Sequence, residues 1–199
     1  YSFFRGLVAT YLAFASQAAG QKEMALQVVY ENRPPGQLPF GAIVIHLLSA
    51  ELTEAAQVAQ HGLTVTAEKN HSNLTTWTHY CLGCVYYERN DLKMAVNHLA
   101  QAVDLRHLIV RRGAIESMVG LTLAYQANRQ QDEAEQLMKL LLEFSLQTNN
   151  PAYVAVVRSF QARISLRQGD LASATGWLQT ADLSADVGPM FIWLEVPWL

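Results

Sequence analysis

The sharpest chemical motif in the chain is Cys81-Leu82-Gly83-Cys84, a C-x-x-C spacing that suits dithiol redox chemistry or one half of a zinc site. Each chemistry makes a further demand. A redox pair wants the first turn of a helix after a strand, where the helix dipole draws a thiol pKa down, whereas these two cysteines fall inside an apolar pattern of helical period. Zinc wants two more ligands at metal spacing, and there is no second C-x-x-C. The six histidines are His46, His61, His71, His79, His98 and His107, and none forms the i, i+4 pair of a metalloprotease helix. A tetrahedral site from Cys81, Cys84 and His79 would still need a fourth ligand. The cysteines therefore read as small structural residues one turn apart, and the histidines as surface or interface groups. Neither a G-x-x-x-x-G-K phosphate loop nor a G-x-S-x-G nucleophile elbow is present, and the serines and acidic residues have no spacing that assigns them to one site. No enzyme activity, metal or cofactor is expected.

The elements that carry these residues follow from a ladder of alanines. Ala25, Ala55, Ala95, Ala134 and Ala174 recur at intervals of 30, 40, 39 and 40 residues, each at the same point of an apolar pattern with helical spacing. Four of the five follow a turn-like Gly or Asn by about five residues. Such periods belong to stacked supersecondary units. In the clearest unit Leu82, Val85 and Tyr86 lie on a first helix, while Leu92, Ala95, Val96, Leu99, Ala102 and Val103 form one apolar stripe on a second. Gly83 and Ala95 are small where two antiparallel helices would cross. Asn90 is suited to end the first helix in a left-handed conformation and Asp91 to cap the second, and Gly169-Asp170 repeats that punctuation. Pro34-Pro35-Gly36 with Pro39, and Asn150-Pro151, read as connections followed by helices whose first turn tolerates proline. The first helix of the unit around Ala55 would run only from about Pro39 to Ser49, which accounts for the 30-residue interval.

Leu82, Gly83, Tyr86, Asn90, Ala95, Leu99 and Ala102 match the tetratricopeptide pattern of two helices per repeat, and copies of that pattern extend through most of the chain. The longer period and the phrases Tyr86-Tyr87-Glu88-Arg89-Asn90-Asp91-Leu92, Ala162 to Leu171 and Phe191 to Pro197 resemble the MalT-type repeat region. That resemblance implies an all-α, right-handed α-α superhelix of about five helix pairs. It also implies a place in a bacterial signalling ATPase of the STAND class, beside a nucleotide-binding switch and a LuxR-type DNA-binding domain, in the cytoplasm. A free-standing peptide-binding adaptor or assembly platform is the alternative.

In tetratricopeptide arrays the first helices line a concave groove. Carrying those positions across by register places Trp77, Tyr80, Tyr87 and Glu88 in the best repeat, Glu116 and Gln126 in the next, and Arg163 and Arg167 in the last complete one. An aromatic cluster beside an Arg pair could hold a protein segment or a small effector by stacking and forked hydrogen bonds. The competing reading is that Trp77 and Tyr80 pack against the preceding repeat, and that Arg163 and Arg167 form a solvated i, i+4 face.

The chain of 199 residues carries a formal charge of −3 with no basic block, so direct nucleic-acid binding is not expected. Arg5, Ser16 and Gln17 interrupt the most apolar stretch, Phe3 to Ala19, and no membrane span is expected. One repeat domain over residues 1–199 is drawn, a fragment of a larger protein. Met190, Phe191, Trp193, Leu194, Val196, Trp198 and Leu199 crowd the carboxyl end. The isolated chain is expected either to bury this apolar helix against the preceding pair or to form a homo-oligomer through it.

Overall fold

A computed structural model of the chain describes residues 12–32, 40–69 and 72–180, and every regular element among them is helical. The first helices of successive pairs are α1 (12–18), α3 (Phe40–Leu48), α5 (Ser72–Glu88), α7 (Arg111–Ala127) and α9 (Pro151–Arg167). Their partners are α2 (Lys22–Asn32), α4 (Leu52–Lys69), α6 (Leu92–Asp104), α8 (Gln131–Gln147) and α10 (Leu171–Thr180). A short 3-10 turn, Arg106–Leu108, follows α6. The helices fall into two compact units, residues 1–108 and 109–199. In the first unit α5 packs against α3, α4 and α6; in the second α7 packs against α8 and α9, and α9 against α8 and α10. Contacts between near neighbours in sequence are what a repeat architecture requires.

The five turns inside the pairs have one construction. Gly20, Ala50, Asn90, Arg129 and Gly169 adopt positive φ, between 54° and 80° together with Asn149, the one other such residue among those described, and each of the five stands five residues before a ladder alanine. At each turn the N–H after the left-handed residue donates to a carbonyl five residues back: Gln21 to Ser16, Glu51 to His46, Asp91 to Tyr86, Gln130 to Tyr125 and Asp170 to Ser165. This is the bond that closes a Schellman motif. The same five residues then accept, through their own carbonyls, the N–H of Ala25, Ala55, Ala95, Ala134 and Ala174, so one residue both ends one helix and begins the next. Asp91 and Asp170 add side-chain caps, accepting from the N–H of Met94 and Ser173. The sequence anticipates Gly20, Asn90 and Gly169 in these roles. Ala50 and Arg129 adopt the left-handed region without glycine's freedom, at a cost of about 1 kcal/mol each, because the hydrogen-bonded turn leaves them no other conformation.

Every ladder alanine is buried, none more than 4% exposed. At the best crossing the close approach falls on Gly83 of α5: a Cβ there would overlap Leu99 Cγ of α6 and come within 2.7 Å of Leu99 Cδ2. Gly41 plays the same part in α3, where a Cβ would lie 2.8 Å from Val29 Cγ2 of α2. The expected α3 limits agree with the observed Phe40–Leu48, and Asn150-Pro151 opens α9 as expected, with the Asn150 carboxamide oxygen accepting from Ala152 N–H at 3.0 Å. Pro34, Pro35, Gly36 and Pro39, and the apolar carboxyl segment from Met190, lie outside the described residues.

Crowding at the crossing predicts that Gly83→Ala and Ala95→Leu each lower stability by about 1–3 kcal/mol, whereas Ala127→Leu, at an exposed position, changes it by less than about 0.5 kcal/mol. Urea unfolding of the three variants checks this; equal midpoints for all three would contradict the crossing geometry.

Candidate functional site

Four of the groove candidates lie in the first unit, on α5. Trp77 is half-buried and packs its indole against Phe40 of α3, with ring centroids 5.4 Å apart, and edge-on against Tyr80 at 5.8 Å. Tyr80 itself is fully buried. This aromatic group joins two successive first helices, and within it Tyr80 is core and presents no surface to a ligand. Tyr87 is half-buried and Glu88 exposed at the carboxyl end of α5.

The other four lie in the second unit. Glu116 of α7 is fully buried and is paired with Arg112 one turn earlier, Arg112 Nε standing 3.4 Å from Glu116 Oε1. Its carboxyl group meets the half-buried Arg112 side chain, and Glu116, fully buried, offers no surface to the exterior. Gln126 and Arg163 are half-buried, and Arg167 is exposed at the carboxyl end of α9, where the helix dipole favours a cation. Residues with side-chain surface thus remain in both units: Trp77, Tyr87 and Glu88 in the first, and Gln126, Arg163 and Arg167 in the second.

Cys81 and Cys84 are free thiols, buried in α5. No group of three or more His, Cys, Asp or Glu among the described residues is placed to hold a metal ion. His79 faces a different partner from the one that the C-x-x-C spacing suggests. Its Nδ1 lies 3.0 Å from Nδ1 of His98 on α6, and the far side of His98 is stacked by Tyr86 with ring centroids 5.3 Å apart and planes inclined by 6°. Burial lowers the pKa of His79 to about 4, with the neighbouring His98 charge acting in the same sense, and burial also lowers that of His98. The one signal in the sequence was position: His98 sits between Ala95 and Leu99, beside the apolar stripe.

A second polar cluster lies at the turn between α3 and α4. Glu51 accepts from Lys22 of α2 at 2.5 Å and lies 2.7 Å from His46 Nδ1 through its other oxygen. The hydrogen bond from Lys22 and then that with His46 lower the Glu51 pKa, and the bond to Glu51 raises that of Lys22. Both groups are partly solvated, so the cluster orients the turn more than it stabilises it. At the last turn Asp170 is lowered by its hydrogen bonds from the Ser173 hydroxyl and backbone.

The family profile of the MalT-like TPR region matches the chain over residues 36–195. Among solved structures, a Podosopora anserina protein assigned to the kinesin light chains, with nearly identical TPR-like repeats, is similar at 18% identity and a TM-score of 0.67, over 88% of this chain and 92% of that one. A point variant of that protein superposes with a TM-score of 0.69 at the same identity and coverage. At that identity the likeness establishes a shared tetratricopeptide-like fold. No curated protein sequence matches the chain. Among the described residues no helix is long and apolar enough to cross a membrane.

Removing the Glu116 carboxylate leaves the Arg112 guanidinium half-buried without its partner on α7, so Glu116→Ala is expected to cost about 2–3 kcal/mol, less than orphaning a fully buried charge. Glu116→Gln, which keeps the acceptor oxygen, should cost less. Thermal unfolding of both variants checks the order, and an unchanged melting temperature for Glu116→Ala would mean that the side chain is not in the core.

Proposed function

Because the chain belongs to the MalT-like TPR region family, we propose that it is a non-enzymatic sensor or scaffold module of a bacterial signalling or transcription-regulating ATPase. It receives a protein segment or small effector on the surface of its first helices and passes the binding energy to a neighbouring switch domain of the parent chain. The observation that carries this reading is the repeated helix pair itself, with one turn construction used five times, together with the family match. Tetratricopeptide-like repeats are interaction modules, and such folds do not ordinarily supply catalytic groups. Binding is assigned here to surface that the packing leaves available. Tyr87 and Glu88 of the first unit combine a ring face with a carboxylate, and Arg163 and Arg167 of the second unit place two guanidinium groups one turn apart, able to fork onto carboxylates. Tyr80 and Glu116 are buried and belong to the packing of their own units. A nucleotide-binding domain and a DNA-binding domain elsewhere in the parent chain, and a cytoplasmic location, complete the proposal.

Panning a displayed peptide library against the chain and titrating a selected peptide tests the binding role. Tyr87→Ala and Arg167→Ala are each expected to weaken that peptide about tenfold, the effect of a good interface anchor, with melting temperatures close to that of the parent. Affinity losses that simply track losses of stability, or no selectable peptide, would instead assign these residues to packing. A Walker-type loop in the parent sequence upstream of this region would support the ATPase context, and its absence would remove it.

A further inference from the structure

The buried imidazole pair of α5 and α6 has no part in the proposed binding surface, yet its geometry fixes the tautomers of the neutral pair. Two Nδ1 atoms 3.0 Å apart make a hydrogen bond only when one carries a proton and the other does not, so one ring is the Nδ1–H tautomer and its partner is protonated at Nε2 alone. An added proton settles either on Nε2 of the donor ring, which keeps the bond but leaves an imidazolium inside a helix-helix contact, or on the acceptor Nδ1, which sets two N–H groups against each other; burial opposes both.

Among the described side chains, little on the surrounding elements could compensate that charge. α5 packs against α3, α4, α6 and the 3-10 turn, and α6 against α5 and that turn. On α3, His46 is engaged with Glu51. On α4, Glu54 and His61 are exposed, and Gln60 donates to the Tyr86 hydroxyl. On α6, Lys93 and Asp104 are exposed, and Asp91 before it is committed to its cap. In the 3-10 turn Arg106 donates to the Val103 carbonyl and His107 is exposed. On α5 itself Glu88 is exposed at the far end, Arg89 just beyond it donates to Thr53, and Cys81 and Cys84 are buried. Burial is the main influence on the proton affinity of His79, and the like charge of His98 adds to it.

We propose that His79 and His98 form a proton-operated latch, which at neutral pH ties α5 to α6 by sharing one proton and on mild acidification releases the helix pair. The proposal does not depend on what the surface of α5 binds, although Trp77, Tyr87 and Glu88 ride on the helix that would be released. Both imidazoles are held below their ordinary pKa of 6.5, His79 at about 4. The opened helices therefore bind more protons than the closed pair between pH 6.5 and about 4, and stability present above that window is lost as the pH falls through it. Glu51 and Asp170, lowered from 4.5 and 3.8, weaken the fold mainly below those values, so the histidines dominate the upper part of the window.

Hydrogen exchange of the intact chain at pH 7.5 and 5.5, corrected for the intrinsic pH dependence, is the test. Amides of α5 and α6 are expected to exchange at least roughly tenfold faster at the lower pH, the factor for each histidine that takes up a proton on opening, while amides of α8 and α9 keep their protection. In a His79→Gln/His98→Gln variant, which retains amide donors and acceptors but cannot titrate there, the difference should vanish. Should that variant fail to fold, nitrogen NMR of the native imidazoles decides. Opposite tautomers at pH 7.5, both titrating below 6.5, support the latch. Two identical tautomers titrating independently near 6.5, or pH-independent protection of α5 and α6, would overturn it.

Discussion

Everything described in this chain depends on a turn that must reverse direction within three residues and still bring two helix backbones into contact. The left-handed residue ends the first helix, the next residue returns its N–H to that helix and gives its carbonyl to the second, and the N–H that takes this carbonyl belongs to the ladder alanine. Turn and crossing are therefore coupled through a fixed count of residues. Only a methyl-sized side chain fits where the second helix first meets the first, and the separation of five residues between turn and alanine is conserved within the chain even where the intervals between units are not.

Close crossing has consequences for polar groups. When glycine or alanine lets backbones approach, side chains that flank the crossing are trapped there whatever their chemistry. His79 and His98 flank the crossing of Gly83 with Leu99, and they satisfy each other because burial keeps them neutral and the pair needs only one shared proton. Glu116 meets the same problem differently. It is buried on a first helix and meets Arg112 one turn earlier on the same helix, so that part of its compensation is local.

These buried groups divide the first helices into two kinds of polar and aromatic position. One kind, represented by Tyr80 and Glu116, maintains the spacing between elements. The other, represented by Tyr87, Glu88 and Arg167, retains surface because it lies near the carboxyl end of its helix, where the packing against the partner thins out toward the turn. The binding surface proposed for the chain draws on the second kind.

The sequence by itself determined the helical class, the pairing of helices, the alanine ladder and three of the five left-handed turn residues, because 3.6-residue periodicity, small residues at crossings and glycine or asparagine at helix ends are local signals. It also placed the limits of α3 and the opening of α9, since a cap followed by proline acts over one turn. It did not reveal that Ala50 and Arg129 adopt the left-handed conformation, for which neither residue type has a preference; hydrogen bonds to the preceding helix impose it. Nor did it distinguish Tyr80 from Tyr87, or Glu116 from Glu88: each pair has one residue type at first-helix positions, and only packing decides which is covered. The partner of His79 was hidden for the same reason. Nearness in sequence pointed to Cys81 and Cys84, whereas contact with His98 depends on how one helix is rotated against another, and that rotation is set by the close approach at Gly83, a property of the two helices together.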